Sequence, residues 1–279
     1  MSFQADTAVH ADGDGFIGNL PPAWGIWGPN GGFMAAVCLR ASAARVAVGQ
    51  RPVTLSVQYL GRPAFGDVDL RVDTVKPGST ACHNIVLAQG GVTLLQAQLW
   101  TTSRNQGPDV ATAVMPDIPG PAGLENLRDY KARRGETEHP FWQNLEARPI
   151  GFASAPDADT PDPGLQPNML RQWTRFQGWQ PTDDVFLDVG RAALLIDTLV
   201  WPAHARGRGS SGPGPDYVAP SLDLTVWFHQ AAGPADWLLA DVHADTAGQG
   251  LIHGAARVWS DDGRLIATGG SQLLVVPPR

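Results

Sequence analysis

The chain has 279 residues, 43% apolar and 17% charged, enough for two cores of roughly 100–150 residues each. A net charge of −7 without any block of Lys or Arg argues against extended contacts with nucleic acid or an anionic membrane. Two cysteines, Cys38 and Cys82, cannot build a disulfide framework or a Cys-rich zinc site, and no segment reaches the roughly 18 apolar residues of a membrane span.

The opening MSFQADTAVHADGDG has neither the basic nor the apolar region of a secretory signal, so the expected location is cytoplasmic. Residues 1–29 read as short and turn-rich. DGDG at Asp12–Gly15 reads as a polar turn, because the place of a calcium loop's closing Glu is held by Ala23. WGPNGGF (Trp27–Phe33) then opens an apolar helix. Asn30 is a sound N-cap, and Gly31 and Gly32 let another backbone or a ligand carbonyl approach the free N–H groups of the first turn. From Arg51 the period falls to two. TLSVQYL, DVDLRVDTV, CHNIVLA and VTLLQAQLW read as about four antiparallel strands, the last two joined at Gly90-Gly91.

Residues 104–139, rich in Pro, Gly and charge, read as a connector with room for one short helix in LENLRDYKARR. The division is therefore an N-terminal domain over 1–103, a connector over 104–139 and a C-terminal domain over 140–279. The second domain begins with a hairpin, WQNLEARPIGF with LRQWTRFQGW, around a disordered-looking SAPDADTPDPG. PTDDVFLDVGRAALLIDTLVW follows as a helix. Asp197 stands in its apolar run Arg191–Trp201, where an ionised carboxylate is costly unless something requires it. After the loop His204–Pro220, a strand opens with the hydroxyl of Ser221 and places Leu222, Leu224, Val226 and Phe228 on one face. WLLADVHAD, GLIHGAARVW and RLIATGGSQLLVV complete the sheet, with a turn at Asp262-Gly263.

The two halves repeat one unit. Laying Thr54–Leu60 on Ser221–Trp227 puts Thr54 over Ser221, and equal steps back reach Asn30 and Asp197. A duplicated unit of this kind packs as a pseudo-dimer. Only the second copy has an ionisable group at the shared place.

These blocks resemble the acyl-CoA thioesterase II type of double-hotdog protein. The resemblance lies in the Asp of LLIDTLVWPA, in SLDLTVWFH followed by WLL, in DGRLIAT…Q, and in WGPNGGF with RPVTLSVQYLGRP. It implies an α+β fold of two tandem hotdog domains, each a central helix wrapped by an antiparallel sheet. It further implies hydrolysis of an acyl-CoA thioester with no metal, no cofactor and no covalent intermediate, by a chain that self-associates. In that family an Asp, a Thr or Ser, and a Gln hold one water. Carried over, these are Asp197, Ser221 and a glutamine. Aligned without a gap, the glutamine's place is Ser271. The candidate is Gln272 one position later, which faces the site if Gly269 and Gly270 supply a bulge. Asn30, Gly31, Gly32 and Thr54 are expected on the substrate side.

In this scheme Asp197 is the general base, Ser221 and Gln272 orient the water, and an N–H near Gly31 or Gly32 receives the oxyanion. Arg40, Arg45 and Arg62 are cations for either CoA phosphates or surface partners. Adjacent strand residues Cys82 and His83 point to opposite faces and cannot form a dyad. His229, His243 and His253 lack metal spacing and are expected at the sheet edge. Two alternatives share the fold: a non-catalytic acyl-CoA or acyl-carrier binding protein, and an enoyl-CoA hydratase. The second needs an Asp and a His close in one motif, and His204 is expected to follow the helix rather than face it.

Overall fold

The computed structural model describes residues 2–108, 110–151, 168–206 and 217–277. The segment SAPDADTPDPG and most of the Gly-rich loop before Ser221 lie outside the described residues. Strands β1 (His10–Asp12), β2 (Gly15–Leu20), β3 (Arg51–Tyr59), β4 (Gly66–Lys76), β5 (Thr80–Gln89) and β6 (Val92–Thr102) belong to the first half. The second half contributes β7 (Leu145–Pro149), β8 (Met169–Phe176), β9 (Asp223–Phe228), β10 (Trp237–Gly248), β11 (Leu251–Ser260) and β12 (Leu265–Leu274). All pair antiparallel in one sheet of order β1-β2-β4-β5-β6-β3-β9-β12-β11-β10-β8-β7. The two halves repeat the same order outward from the β3–β9 junction, where Leu55 lies opposite Val226 and Val57 opposite Leu224.

Two long helices fill the inside of this sheet: α2 (Gly31–Ala43) and α4 (Val185–Arg206), with the short α1 (Phe3–Asp6) beside them. Asn30 Oδ1 caps α2 by accepting from Phe33 N at 2.9 Å, and Asp184 Oδ1 caps α4 by accepting from Phe186 N and Leu187 N. Both helices are buried on nearly every side, which accounts for their almost continuous apolar sequences. They pack closely because small residues line the contact. A Cβ on Gly32 would stand 2.7 Å from Leu194 Cα, and one on Gly190 would touch Ala36 Cβ at 3.4 Å. The inner faces of the strands, including Leu55, Val57, Leu224 and Val226, close over the helices as a single core.

Several sequence expectations change. Residues 1–29 are not merely turns. The polar stretch Asp12–Gly15 closes the β1–β2 hairpin, and β2 joins β4 with Phe16 turned inward. The glycines of β2 hide this strand from a propensity reading, yet Gly15 is needed there, since a Cβ would meet Leu70 O at 2.7 Å. Helix α4 continues through Pro202 to Arg206, so His204 is inside it. His243 and His253 sit in β10 and β11, both inner strands, and not at an edge.

Residues 104–139 contain α3 (Leu127–Arg133) and have packing of their own. Met115, Ile118 and Leu124 cover Trp173, Leu239 and Trp259 on the outer face of the sheet, and Trp173 Nε1 donates to Pro119 O at 2.9 Å. Scattered apolar residues among prolines gave no periodic signal, but the flat aromatic surface beneath them needs only such isolated contacts.

Candidate active site

Asp197 projects from the middle of α4 and is 3% exposed. The N-terminus of α2 meets it there. A Cβ on Gly31 would lie 2.8 Å from Asp197 Oδ2, and one on Gly32 would lie 3.1 Å from Asp197 Cβ. The N–H groups of Gly31 and Gly32 open a helix and have no carbonyl of their own turn to bond. Asn30 donates through Nδ2 to Thr198 Oγ1 at 3.1 Å, one residue along α4. The spacing that lays Asn30 on Asp197 also lays Gly31 on Thr198. The two contacts, Gly31 with Asp197 and Asn30 with Thr198, are thus one helix contact made from either half.

Burial pushes the Asp197 carboxyl up from 3.8 to about 6, and the negative Asp223 adds to the rise. Hydrogen bonding from the Ser221 side chain, the Gly32 N–H and the Tyr59 hydroxyl opposes it. The result is a carboxyl group that is mostly ionised at neutral pH yet basic enough to take a proton. Tyr59 OH donates to Asp197 Oδ1 at 3.3 Å. The sequence reading missed this residue. Its signal was the inward row Leu55, Val57, Tyr59, in which the last member ends in a hydroxyl.

Ser221 reaches the site by a bulge. Thr225 pairs with Gly270 and Ser221 bridges to Leu273, so the chain carrying Ser221 has one more residue in this interval than β12. The extra residue turns Ser221 inward and leaves Leu222 39% exposed, against the expected run of Leu222 with Leu224. Asp223 closes the bulge. Its carbonyl accepts from Ser271 Oγ at 2.6 Å and its Oδ1 accepts from Gln272 N at 2.8 Å.

Gln272 does not share the site. Register between β11 and β12 runs unbroken from Leu251–Leu274 to Val258–Ala267, so Gly269 and Gly270 make no bulge. They are glycines for a different reason: neighbouring backbone crowds them, and a Cβ on Gly270 would stand 2.6 Å from Gly254 O. Ser271 pairs with Gly254, which faces Val200 of α4, and is therefore inward. Gln272 pairs with His253 on the outer face.

Thr54 is also displaced. β3 shifts register against β6 between Pro52–Thr101 and Thr54–Trp100, the counterpart of the shift beside Ser221. By this landmark Pro52 corresponds to Ser221, and Thr54 to Asp223. Thr54 lies opposite Trp227, which is 49% exposed, and so stands on the outer face. The structure thus brings together Asn30, Gly31, Gly32, Asp197 and Ser221, and separates Gln272 and Thr54 from them.

Other candidates are accounted for. His204 lies on the same stripe of α4 as Asp197 and Trp201, but about 10 Å further along the axis, with Nε2 2.9 Å from Tyr217 OH. Trp201 packs edge-on against both Trp27 and Tyr217 at 5.4 Å, forming an aromatic wall one turn from Asp197. Burial drives the Cys38 thiol up to about 12, which removes it as a nucleophile. Arg40 pairs with Asp184, while Arg45 and Arg62 donate to the carbonyls of Asp14 and Trp27. Among the described residues no three His, Cys, Asp or Glu side chains gather as a metal site. No helix among them is long and apolar enough to cross a membrane.

Comparison with known proteins bears on the family and the fold. The family model for the acyl-CoA thioesterase C-terminal domain matches residues 121–276, and that for the N-terminal domain matches residues 20–102. No curated protein matches the chain. Among solved structures, a hot-dog-fold protein of unknown function from Alicyclobacillus acidocaldarius superposes with a TM-score of 0.80 at 24% identity, over 99% of this chain and 98% of that one. The acyl-CoA thioesterase II TesB2 of Mycobacterium marinum gives 0.74 at 19% identity over 99% of both chains. A tesB protein of Mycobacterium avium subs paratuberculosis gives 0.75 at 24% identity, over 99% of this chain and 98% of that one. The fold is α+β, a hotdog in each half.

Proposed function

This chain belongs to the acyl-CoA thioesterase family, a family of thioester hydrolases, and from that premise we propose that it hydrolyses acyl-CoA at Asp197. The observation that carries the reading is a buried carboxyl group, lifted to about 6, set against a helix N-terminus and two hydroxyls. Asp197 removes a proton from water, and the water oxygen adds to the thioester carbon. Ser221 orients that water, and the Gly31 N–H at the start of α2 is the donor for the negative charge that develops on the carbonyl oxygen, since Gly32 N–H bonds Asp197 and Phe33 N–H bonds Asn30. Collapse breaks the carbon–sulfur bond, and the CoA thiolate takes up the proton held by Asp197. The products are a free acid and CoA.

Ser221 takes the place of the family's Thr or Ser, while Gln272 pairs with His253 on the outer face. The aromatic wall of Trp27, Trp201 and Tyr217 would flank the acyl group or the pantetheine arm. The same reading carries a cytoplasmic location and self-association of the double-hotdog chain, which light scattering of the purified protein tests. The reaction itself is tested by thiol release from short- to long-chain acyl-CoAs, comparing wild type with Asp197→Asn. Turnover that falls by about 10²-fold or more supports Asp197 as the base. Undiminished turnover in the variant would overturn the site.

A further inference from the structure

We propose that Tyr59, supplied by the first half of the chain, is a positioning residue that fixes the carboxylate of Asp197, contributed by the second half. The inference rests on the reading of Asp197 as general base and deepens it. Its ground is geometric. Tyr59 ends β3 and is the last inward side chain of that strand. Its backbone N–H donates to Leu222 O at 3.1 Å, inside the bulge that turns Ser221 inward. Its hydroxyl donates to Asp197 Oδ1 at 3.3 Å. One residue thus joins the segment bearing Ser221 to the carboxylate it serves.

Gly31 makes the contact possible. A Cβ there would fall 3.1 Å from Tyr59 OH and 3.0 Å from Tyr59 Cζ, as well as against Asp197 Oδ2. Phenol and carboxylate share the gap left by the missing side chain. With Oδ1 held by Tyr59, the carboxylate cannot rotate freely about its last torsion, and Oδ2 keeps one orientation toward α2. A water bound there meets the base in a fixed direction. This is the service that the resemblance assigns to a glutamine, and Gln272 faces the other way.

The groups facing this pair are few. Asp197 on α4 looks onto Tyr59 of β3 and Asp223 at the start of β9. Tyr59 looks onto Asp197, Asp223 and Cys38 of α2. Asp223 repels a charge on Asp197, and Cys38 stays a neutral thiol. Burial and the nearby Asp197 hold the Tyr59 phenol well above its ordinary range, so it remains a donor at any working pH. Donation to the charged form of Asp197 lowers that group's pKa, and its removal raises it.

The test is the pH profile of kcat/KM for an acyl-CoA that the wild type turns over, measured for wild type, Tyr59→Phe and Asp197→Asn. Phenylalanine keeps the ring and deletes only the hydroxyl. The acid limb of Tyr59→Phe should move up by about 1 pH unit. Turnover would then be about fivefold lower at pH 6 and recover most of the way above pH 8. A second variant bearing 3-fluorotyrosine at position 59, a stronger donor, should move the limb the other way. It keeps the proposal testable if Tyr59→Phe folds poorly. An acid limb unmoved in both variants, with Asp197→Asn inactive, overturns the role of Tyr59 and leaves the general base standing. Wild-type turnover in Asp197→Asn overturns the parent reading and this one together.

Discussion

Gly31 and Asp197 stand so close that one methyl group on the glycine would lie 2.8 Å from the carboxylate oxygen. The first residue of one helix thus leaves space for the functional group of the other. A helix start is a place where alanine normally adds stability, by up to about 1 kcal/mol over glycine. Here the clash with Asp197 and Tyr59 outweighs that gain. Gly31→Ala should lose about 1–3 kcal/mol in urea unfolding and at least about tenfold in kcat. Gly190→Ala is the control. Its Cβ would meet neighbours at 3.4–3.6 Å, ordinary contact, so it should be neutral or stabilising by up to about 1 kcal/mol.

Asp197 also sets the sign of a pH effect on stability. Its folded pKa, about 6, lies above its ordinary value of 3.8. Between these values the unfolded chain releases the proton first, so stability falls as pH rises from about 4 to about 6 and stays lower beyond. The full span corresponds to roughly 3 kcal/mol. Asp197→Asn has no proton to release. Urea unfolding at pH 4 and pH 7 should show the wild type losing ground over that interval while the variant changes less. Equal losses in both proteins would contradict a raised pKa.

The opposite facing of Ser271 and Gln272 yields a paired test. Gln272→Ala should leave kcat/KM within about twofold, since outward substitutions far from buried features have small effects. Ser271→Ala removes the 2.6 Å bond to Asp223 O that pins the bulge, and should cost about 1 kcal/mol of stability with a measurable fall in kcat. Ser221→Ala should lose about tenfold or more in kcat at unchanged fold. A loss of about 100-fold in Gln272→Ala would refute the strand register given above.

A further expectation concerns the buried pair Arg191–Asp188 of α4. Arg191 is fully buried, stacked 3.9 Å over Trp179 and paired with Asp188, whose other oxygen accepts from Ala232 N and Gly233 N. Asp188→Ala leaves the guanidinium charge without its carboxylate, with only Nη1 still donating to Ala235 O, and leaves both N–H groups without their acceptor. Unfolding by urea should show a loss of about 3–5 kcal/mol.

Much of this was legible in the sequence, for a physical reason. A helix buried on all sides needs a continuous apolar run, so Asp197 stood out as the one carboxylate within its stretch. Period-two alternation marked nearly every long strand. What escaped were features that alternation cannot encode. The bulge before β9 inserts one residue without changing composition, and it decides that Ser221 rather than Leu222 turns inward. Gly269 and Gly270 resembled a bulge signal but answer crowding from neighbouring backbone. Alternation marked Tyr59 as inward, but its role did not follow, because its partner lies in the other half and only the junction of β3 with β9 brings them together.

That junction has a consequence for heredity. Each half supplies parts that the other lacks: one gives the carboxylate and the serine, the other the helix end and the phenol. An ancestral pair of identical subunits would have carried two equal sites, each bound to change in step with its twin. Within a single chain the two places need not match, and one holds a carboxylate where the other holds an amide. Neither half expressed alone should turn over substrate, whereas the two halves produced together as separate chains should recover it by pairing along β3 and β9.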